Sequence, residues 1–187
     1  NKSTLTIINS EKVKMLEFKN KENLGKSYSI IRALKLINTG NVVLIDCDLP
    51  YFKYLKKIID HLNKYDLIIV NRKLKKSLNT EKSLNFYKII RNFISNILGN
   101  IIEKKLKLGV KGDTQAGLKA FRVAKKIKKK KFLSRYYFFD IELINFFKKN
   151  NLKIKLIPVK FSISTKSSIK ILSYKNFKII YEFYKIL

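Results

Sequence analysis

The sequence predicts an α/β fold in which a mostly parallel sheet is flanked by helices. Three observations predict it. The runs 42–45 and 67–70 are short, continuous and rich in Val and Ile, the pattern of strands covered on both faces. Stretches of helical periodicity alternate with them. Polar residues, Asp46 and Asp48 after the first run and Asn71 and Arg72 after the second, fall at strand ends, where open α/β sheets bind ligands. At 187 residues and 46% hydrophobic composition, the chain suits one domain (1–187) with a sizeable core.

Taken in order, residues 13–18 alternate apolar and polar side chains like a strand. Residues 25–38 place Ile30, Ile31, Leu34 and Ile37 at helical spacing, and Gly40 reads as the helix stop. A strand at 42–45, a helix at 51–62 and a strand at 67–70 complete a β-α-β-α-β order, which implies a parallel sheet with right-handed crossovers. A long helix follows, with Phe86, Ile89, Ile90, Phe93, Ile94, Ile97, Ile101 and Ile102 in one stripe expected to join the core. Residues 109–117 read as a turn-rich loop, 118–122 as a short strand and 139–149 as a helix. Residues 152–160 read as a strand, and Pro158 near its end assigns that strand to a sheet edge. No internal repeat, Pro-rich linker or second domain is visible.

Forty-two Lys and Arg against thirteen Asp and Glu give a formal charge of +29, a field that draws polyanions. Only Arg32, Arg72, Arg91, Arg122 and Arg135 are arginines, which argues against specific nucleic-acid recognition, where the bidentate guanidinium is favoured. Lys, Asn and Ile are abundant together, so runs such as 128–131 read as solvated faces. Cys47 is the single cysteine, which excludes an internal disulfide and a Cys-based zinc site, and His61 reads as a helix-surface residue. No apolar run approaches the ~20 residues of a membrane span, and no signal peptide opens the chain. The expectation is a cytoplasmic protein, peripheral on the cytosolic face of a membrane. A chain that begins with Asn is read as a fragment whose first strands are missing.

Acids are scarce, so a carboxylate beside apolar residues requires a reason. Residues i and i+2 of a strand face the same side, so Asp46 and Asp48 can present two hard oxygen ligands to one divalent cation, which would bind a diphosphate. Alternatively, Asp48 caps the following helix and Asp46 is incidental. Asn23, Leu24, Gly25 and Lys26 open a helix whose amides and lysine could meet phosphate. Asp113 sits among Gly112, Thr114, Gln115 and Gly117, which suits close approach of backbone to a ligand. Asp140 and Glu142 interrupt an aromatic and aliphatic stretch, either as site carboxylates or as partners of a helix dipole.

These residues in this order, Asn23-x-Gly25-Lys26, Asp46-x-Asp48-Leu49, Asn71-Arg72, Asp113-Thr114-Gln115-x-Gly117-x-Lys119-x-Phe121, Phe139-Asp140-x-Glu142-Leu143 and Pro158-Val159, resemble the family 2 glycosyltransferases that make polyprenyl-phosphate sugars. The resemblance covers about residues 3–180 and is nearest to the dolichyl-phosphate β-glucosyltransferase branch, through the Asp-Thr-Gln-x-Gly-x-Lys form. It implies a GT-A (Rossmann-like) fold and inverting transfer of a hexose from a nucleotide sugar, UDP-glucose before GDP-mannose, to a polyprenyl or dolichyl phosphate. It further implies that Asp46 and Asp48 hold Mg²⁺ or Mn²⁺, and that Asn23, Gly25, Lys26, Asp46 and Arg72 line the donor site. Asp113, Asp140 and Glu142 are the implied catalytic acids. Arg91, Gln115, Lys119, Lys166 and Ser168 are the implied acceptor contacts.

Against that family, the first strand and most of the nucleoside pocket are read as missing at the start, and the C-terminal membrane helices, which some members lack, are read as absent too. Two further readings stand beside the enzyme: a basic nucleic-acid-binding module using Phe and Tyr among Lys, and a non-catalytic truncated relative that binds a membrane or partner. Residues 170–187 alternate Ile171, Leu172, Phe177, Ile180, Phe183, Tyr184 and Leu187 with lysines. Such a helix either lies on an anionic membrane surface or packs on the core.

Overall fold

The computed structural model describes residues 4–9, 14–19, 24–37, 40–49, 51–80, 86–123, 125–162 and 175–187. Strands β1 (Thr4–Asn9) and β2 (Lys14–Lys19) pair antiparallel as a hairpin, Thr4 opposite Lys19. The strand expected at 13–18 therefore joins a separate two-stranded sheet rather than the main one, and its partner strand was not assigned from the sequence although Thr4-Leu5-Thr6-Ile7 alternates. Helix α1 (Lys26–Leu36) leads to β3 (Gly40–Ile45), a 3₁₀ turn (Phe52–Tyr54) and α2 (Leu55–His61). Gly40, at φ 123°, opens β3 instead of capping α1, which ends at Ile37. Next come β4 (Leu67–Asn71), β5 (Leu78–Asn79), α3 (Phe86–Leu106), β6 (Leu118–Val123) and α4 (Lys125–Lys129). Helix α5 (Phe139–Lys149), β7 (Ile154–Pro158), β8 (Lys160–Phe161) and α6 (Lys175–Ile186) complete the described chain.

The main sheet is mixed, in the order β3-β6-β4-β7. β4 and β7 pair parallel, while β6 runs antiparallel to both β3 and β4. The expected parallel neighbours β3 and β4 are thus separated by a reversed strand. That reversal has a consequence for chemistry, because it brings the loop before β6 to the same sheet end as the residues after β3 and β4. Pro158 closes β7, which is an edge of this sheet, where a missing N–H is tolerated.

Alternation along the strands divides the core into two layers. Leu67, Ile69, Val42, Phe121 and Val123 face one side, where α1, α5 and α6 contribute Leu34, Ile141, Ile144, Phe147 and Phe183. Ile68, Val70, Leu118, Ala120 and Ile157 face the other, covered by Ile58 and Leu62 from α2 and its following turn. Every residue of β4 is buried, as a continuous apolar run between two helical layers requires. The long stripe of α3 departs from expectation. Ile102 is buried, but Ile89, Phe93, Ile97 and Ile101 are exposed, because α3 touches the body along its other side.

Candidate functional site

The chemistry gathers at one end of the sheet. After β3 the chain turns through Asp46, whose amide donates to the Gly117 carbonyl at 2.9 Å and whose carbonyl accepts the Leu49 amide at 2.9 Å. Asp46 and Asp48 therefore stand in a turn rather than on the strand, and pleat alternation does not set their relative direction. Asp46 is half-buried and takes the Lys26 ammonium at 2.7 Å, whereas Asp48 is exposed. Burial alone would lower the Lys26 ammonium. The charges of Asp140, Asp46 and Asp48 outweigh it and hold Lys26 above its ordinary value. A hard divalent ion at this turn would find Asp48 accessible but would have to compete with the Lys26 ammonium for Asp46, and among the described residues no third His, Cys, Asp or Glu joins them.

Gly25 explains how α1 reaches this position. Its φ is 94°, and a Cβ there would lie 2.4 Å from the Arg135 carbonyl oxygen, so only glycine allows the loop so near. The α1 amides of Ser27 and Tyr28 then donate to the carbonyls of Tyr136 and Arg135 at 3.1 and 2.9 Å. Those donors are spent on protein, so the expected amide cradle for phosphate is closed at these two positions, and Lys26 is what α1 offers.

The second cluster follows β4. Asn71, fully buried, donates to the Val110 carbonyl at 2.7 Å and accepts the Lys73 amide at 2.9 Å, which fixes both the turn and the facing loop. Asp113 accepts from the Arg72 amide at 2.6 Å, from Nη2 at 2.6 Å and from Nε at 3.2 Å. Its side chain is 1% exposed and that of Arg72 36%. Burial pushes the Asp113 carboxyl up, but the hydrogen bonds and charge of Arg72 together overcome it and leave the group below the usual carboxylate range. Two residues that carried no motif complete the cluster. Tyr51, buried beside Arg72, has its phenol pushed up by burial, and Lys73 has its ammonium pushed down by burial and by the Arg72 charge.

The remaining acids are structural in their contacts. Asp140 meets Lys119 at 3.0 Å with both side chains below 5% exposure, and Lys119 also donates to the Ala116 carbonyl at 2.6 Å. Lys119 is thus committed inside the protein rather than offered to an acceptor. Glu142 accepts the amides of Leu133 at 2.9 Å and Ser134 at 2.6 Å. Both acids occupy the first turn of α5, where the helix dipole favours them. Gln115 is exposed and donates to the Tyr137 carbonyl at 3.2 Å. Asn23, Lys166 and Ser168 lie outside the described residues; Arg91 falls in α3, with its side chain outside those described.

Glu182 on α6 was not singled out from the sequence. Its carboxylate accepts from the Ser134 hydroxyl and from the amides of Arg135 at 2.9 Å and Tyr136 at 3.0 Å, which fastens the loop that α1 leans on. A single acid in a basic tail helix was the available signal. Neither protein-family models nor curated proteins give a match to this chain. Among the described residues no helix is long and apolar enough to cross a membrane.

Proposed function

We propose that the chain is a GT-A glycosyltransferase domain that transfers a hexose with inversion from a nucleotide sugar to a polyprenyl phosphate, with UDP-glucose the favoured donor and GDP-mannose the next. The observation that carries this reading is convergence. Motif residues spread from Lys26 to Asp140 meet at one sheet end through the pairs Lys26–Asp46, Arg72–Asp113 and Lys119–Asp140. Both substrates are phosphate anions, and the ends of β3 and β4 offer them Lys26, Arg72 and Lys73.

In this reading an ionised oxygen of the acceptor phosphate attacks the anomeric carbon. The bond from that carbon to the diphosphate oxygen breaks, and the nucleoside diphosphate leaves with the electron pair. The acceptor oxygen carries its charge near neutral pH, so positioning matters more than proton removal. Asp113 suits that division of labour. With both oxygens occupied by Arg72 it acts as a positioning residue, and the five-donor guanidinium, which also bonds Tyr51, keeps N–H groups beyond these for a phosphate. Asp46 and Asp48 would hold Mg²⁺ or Mn²⁺, which when bound neutralises charge growing on the departing diphosphate. Lys119 and Asp140 form the rigid floor below.

The test is transfer of label from UDP-glucose or GDP-mannose to a polyprenyl phosphate, read in the lipid extract. Metal-dependent transfer that disappears in Asp48→Asn is expected. Failure with both donors while the folded protein also shows no sugar-nucleotide binding by calorimetry would overturn the reading.

A further inference from the structure

Helix α3 presents its apolar side outward. At 3.6 residues per turn, Ile89, Phe93, Ile94, Ile97, Leu98 and Ile101 occupy roughly half the helix circumference, and these side chains are 38–65% exposed. The opposite side carries Gly99, Ile102 and Glu103. A Cβ on Gly99 would lie 2.5 Å from the Gly112 carbonyl oxygen, so backbone rests on backbone there. Glu103, the one acid of α3, turns inward to accept the amides of Gly109 and Gly112 at 2.6 and 3.2 Å. Exposed Lys104, Lys105, Lys107 and Lys111 follow the apolar face at its end. An apolar surface this continuous, rimmed by one sign of charge, marks an interaction site.

We propose that the outward face of α3 is a docking surface for an anionic lipid bilayer, on which the helix lies flat. Charge selects this occupant. A second copy of a chain of formal charge +29 would bring like charges together, whereas anionic headgroups complement the lysines while the acyl boundary takes the apolar side chains. The helix lies on the membrane rather than crossing it, since no described helix is long and apolar enough to span. The tail helix is the poorer candidate, because Glu182 and Phe183 of α6 are turned inward, to the Arg135 and Tyr136 amides and to the Phe138 ring at 5.3 Å. The inference stands on the exposed face and the charge. It deepens the lipid-phosphate reading without needing it, since Gly112 directly precedes Asp113 and a docked α3 would set the Arg72–Asp113 pair close above the headgroups.

The chain contains no Trp, so a single substitution gives a clean reporter. In the full chain, Phe93→Trp is expected to shift its emission to the blue on vesicles of phosphatidylcholine with phosphatidylserine and to be quenched by brominated acyl chains, with neither effect for Tyr184→Trp on the tail. Co-sedimentation of Phe93→Asp/Ile97→Asp with the same vesicles should fall at least about tenfold, as expected for losing two buried apolar side chains. Binding of the unsubstituted chain should weaken with salt. Quenching of the tail reporter alone would overturn the proposal, as would undiminished vesicle binding by the double variant. Loss of a self-associated species by the double variant, with no vesicle effect, would assign the face to a second copy instead. Sugar-nucleotide binding measured without vesicles reports on the enzyme reading separately.

Discussion

Helices α3 and α5 both repeat apolar residues at three- and four-residue intervals, yet α5 carries Phe139, Ile144 and Phe147 into the core at 1% exposure or less while α3 leaves Phe93 65% and Ile97 44% exposed. The difference lies in what each helix meets. α5 lies over the sheet layer shared with α1 and α6, and its apolar side chains fill the space between them. α3 gives the core only Ile102 and Leu106 near its end, and leans on the 109–112 loop through Gly99 and Glu103, contacts that need no large side chain. Periodicity therefore names a face without naming what covers it.

The contrast can be broken most forcefully by truncation. Phe147→Ala should cost about 3–5 kcal/mol, because a large buried ring leaves a cavity. Phe93→Ala should change stability by no more than about 0.5 kcal/mol. Urea denaturation of the two variants decides it, and similar losses would mean that α3 is covered like α5. Charge inside α5 gives the next test. Lys119→Met should cost about 3–5 kcal/mol by stranding the buried Asp140 carboxylate, and Lys119→Met/Asp140→Leu should recover most of that loss. A double variant no more stable than the single would assign Lys119 a role beyond this pair.

Smaller effects sharpen the other side of the comparison. Gly99→Ala gains helix propensity of about 1 kcal/mol. Its methyl nevertheless meets immovable backbone at Gly112, so a net loss of about 1–2 kcal/mol is expected from overpacking. A gain in thermal midpoint would show that α3 can lift from the loop freely. Last is pH. The folded Asp113 carboxyl is held below its ordinary range, so its stabilising contribution is fully present above the unfolded value, about 3.9, and is lost as pH falls through the folded value. The stability gap between the unsubstituted chain and Asp113→Asn should thus be constant near neutrality and close in acid. A gap independent of pH would remove Arg72 as the cause.

Much of the fold was legible where burial is uniform. The runs behind β3 and β4 announce strands because nothing polar interrupts them, and α5 announces itself through its spacing. Strand order was not legible, since a reversed β6 between β3 and β4 depends on pairing between residues some fifty to eighty positions apart. The site was legible as residue types and less so as partnerships. Asp113 and Arg72 stand in separate motifs, and only the fold joins them. Lys119 was expected as an acceptor contact in a short strand, and it is instead paired with Asp140 inside the protein. Its signal was a positive charge between Leu118 and Ala120, matched by a negative one between Phe139 and Ile141. Tyr51 and Lys73 carried no signal, because proximity to Arg72 is all that distinguishes them.

The Glu182 fastening also sets an order of events in time. Ser27, Ser134 and Glu182 meet in one hydrogen-bonded cluster, with the two hydroxyls 2.9 Å apart. On the ribosome, Glu182 is added about 8–30 s after Ser27 at ordinary elongation rates. Until then the amides of Arg135 and Tyr136 lack their acceptor, and the loop that seats Gly25 and Lys26 is unfastened. Among the described residues, the β3–β6–β4 pairing and the Arg72–Asp113 pair make no hydrogen bond to α6, so this half of the candidate site can form during synthesis while the Lys26 half waits for α6.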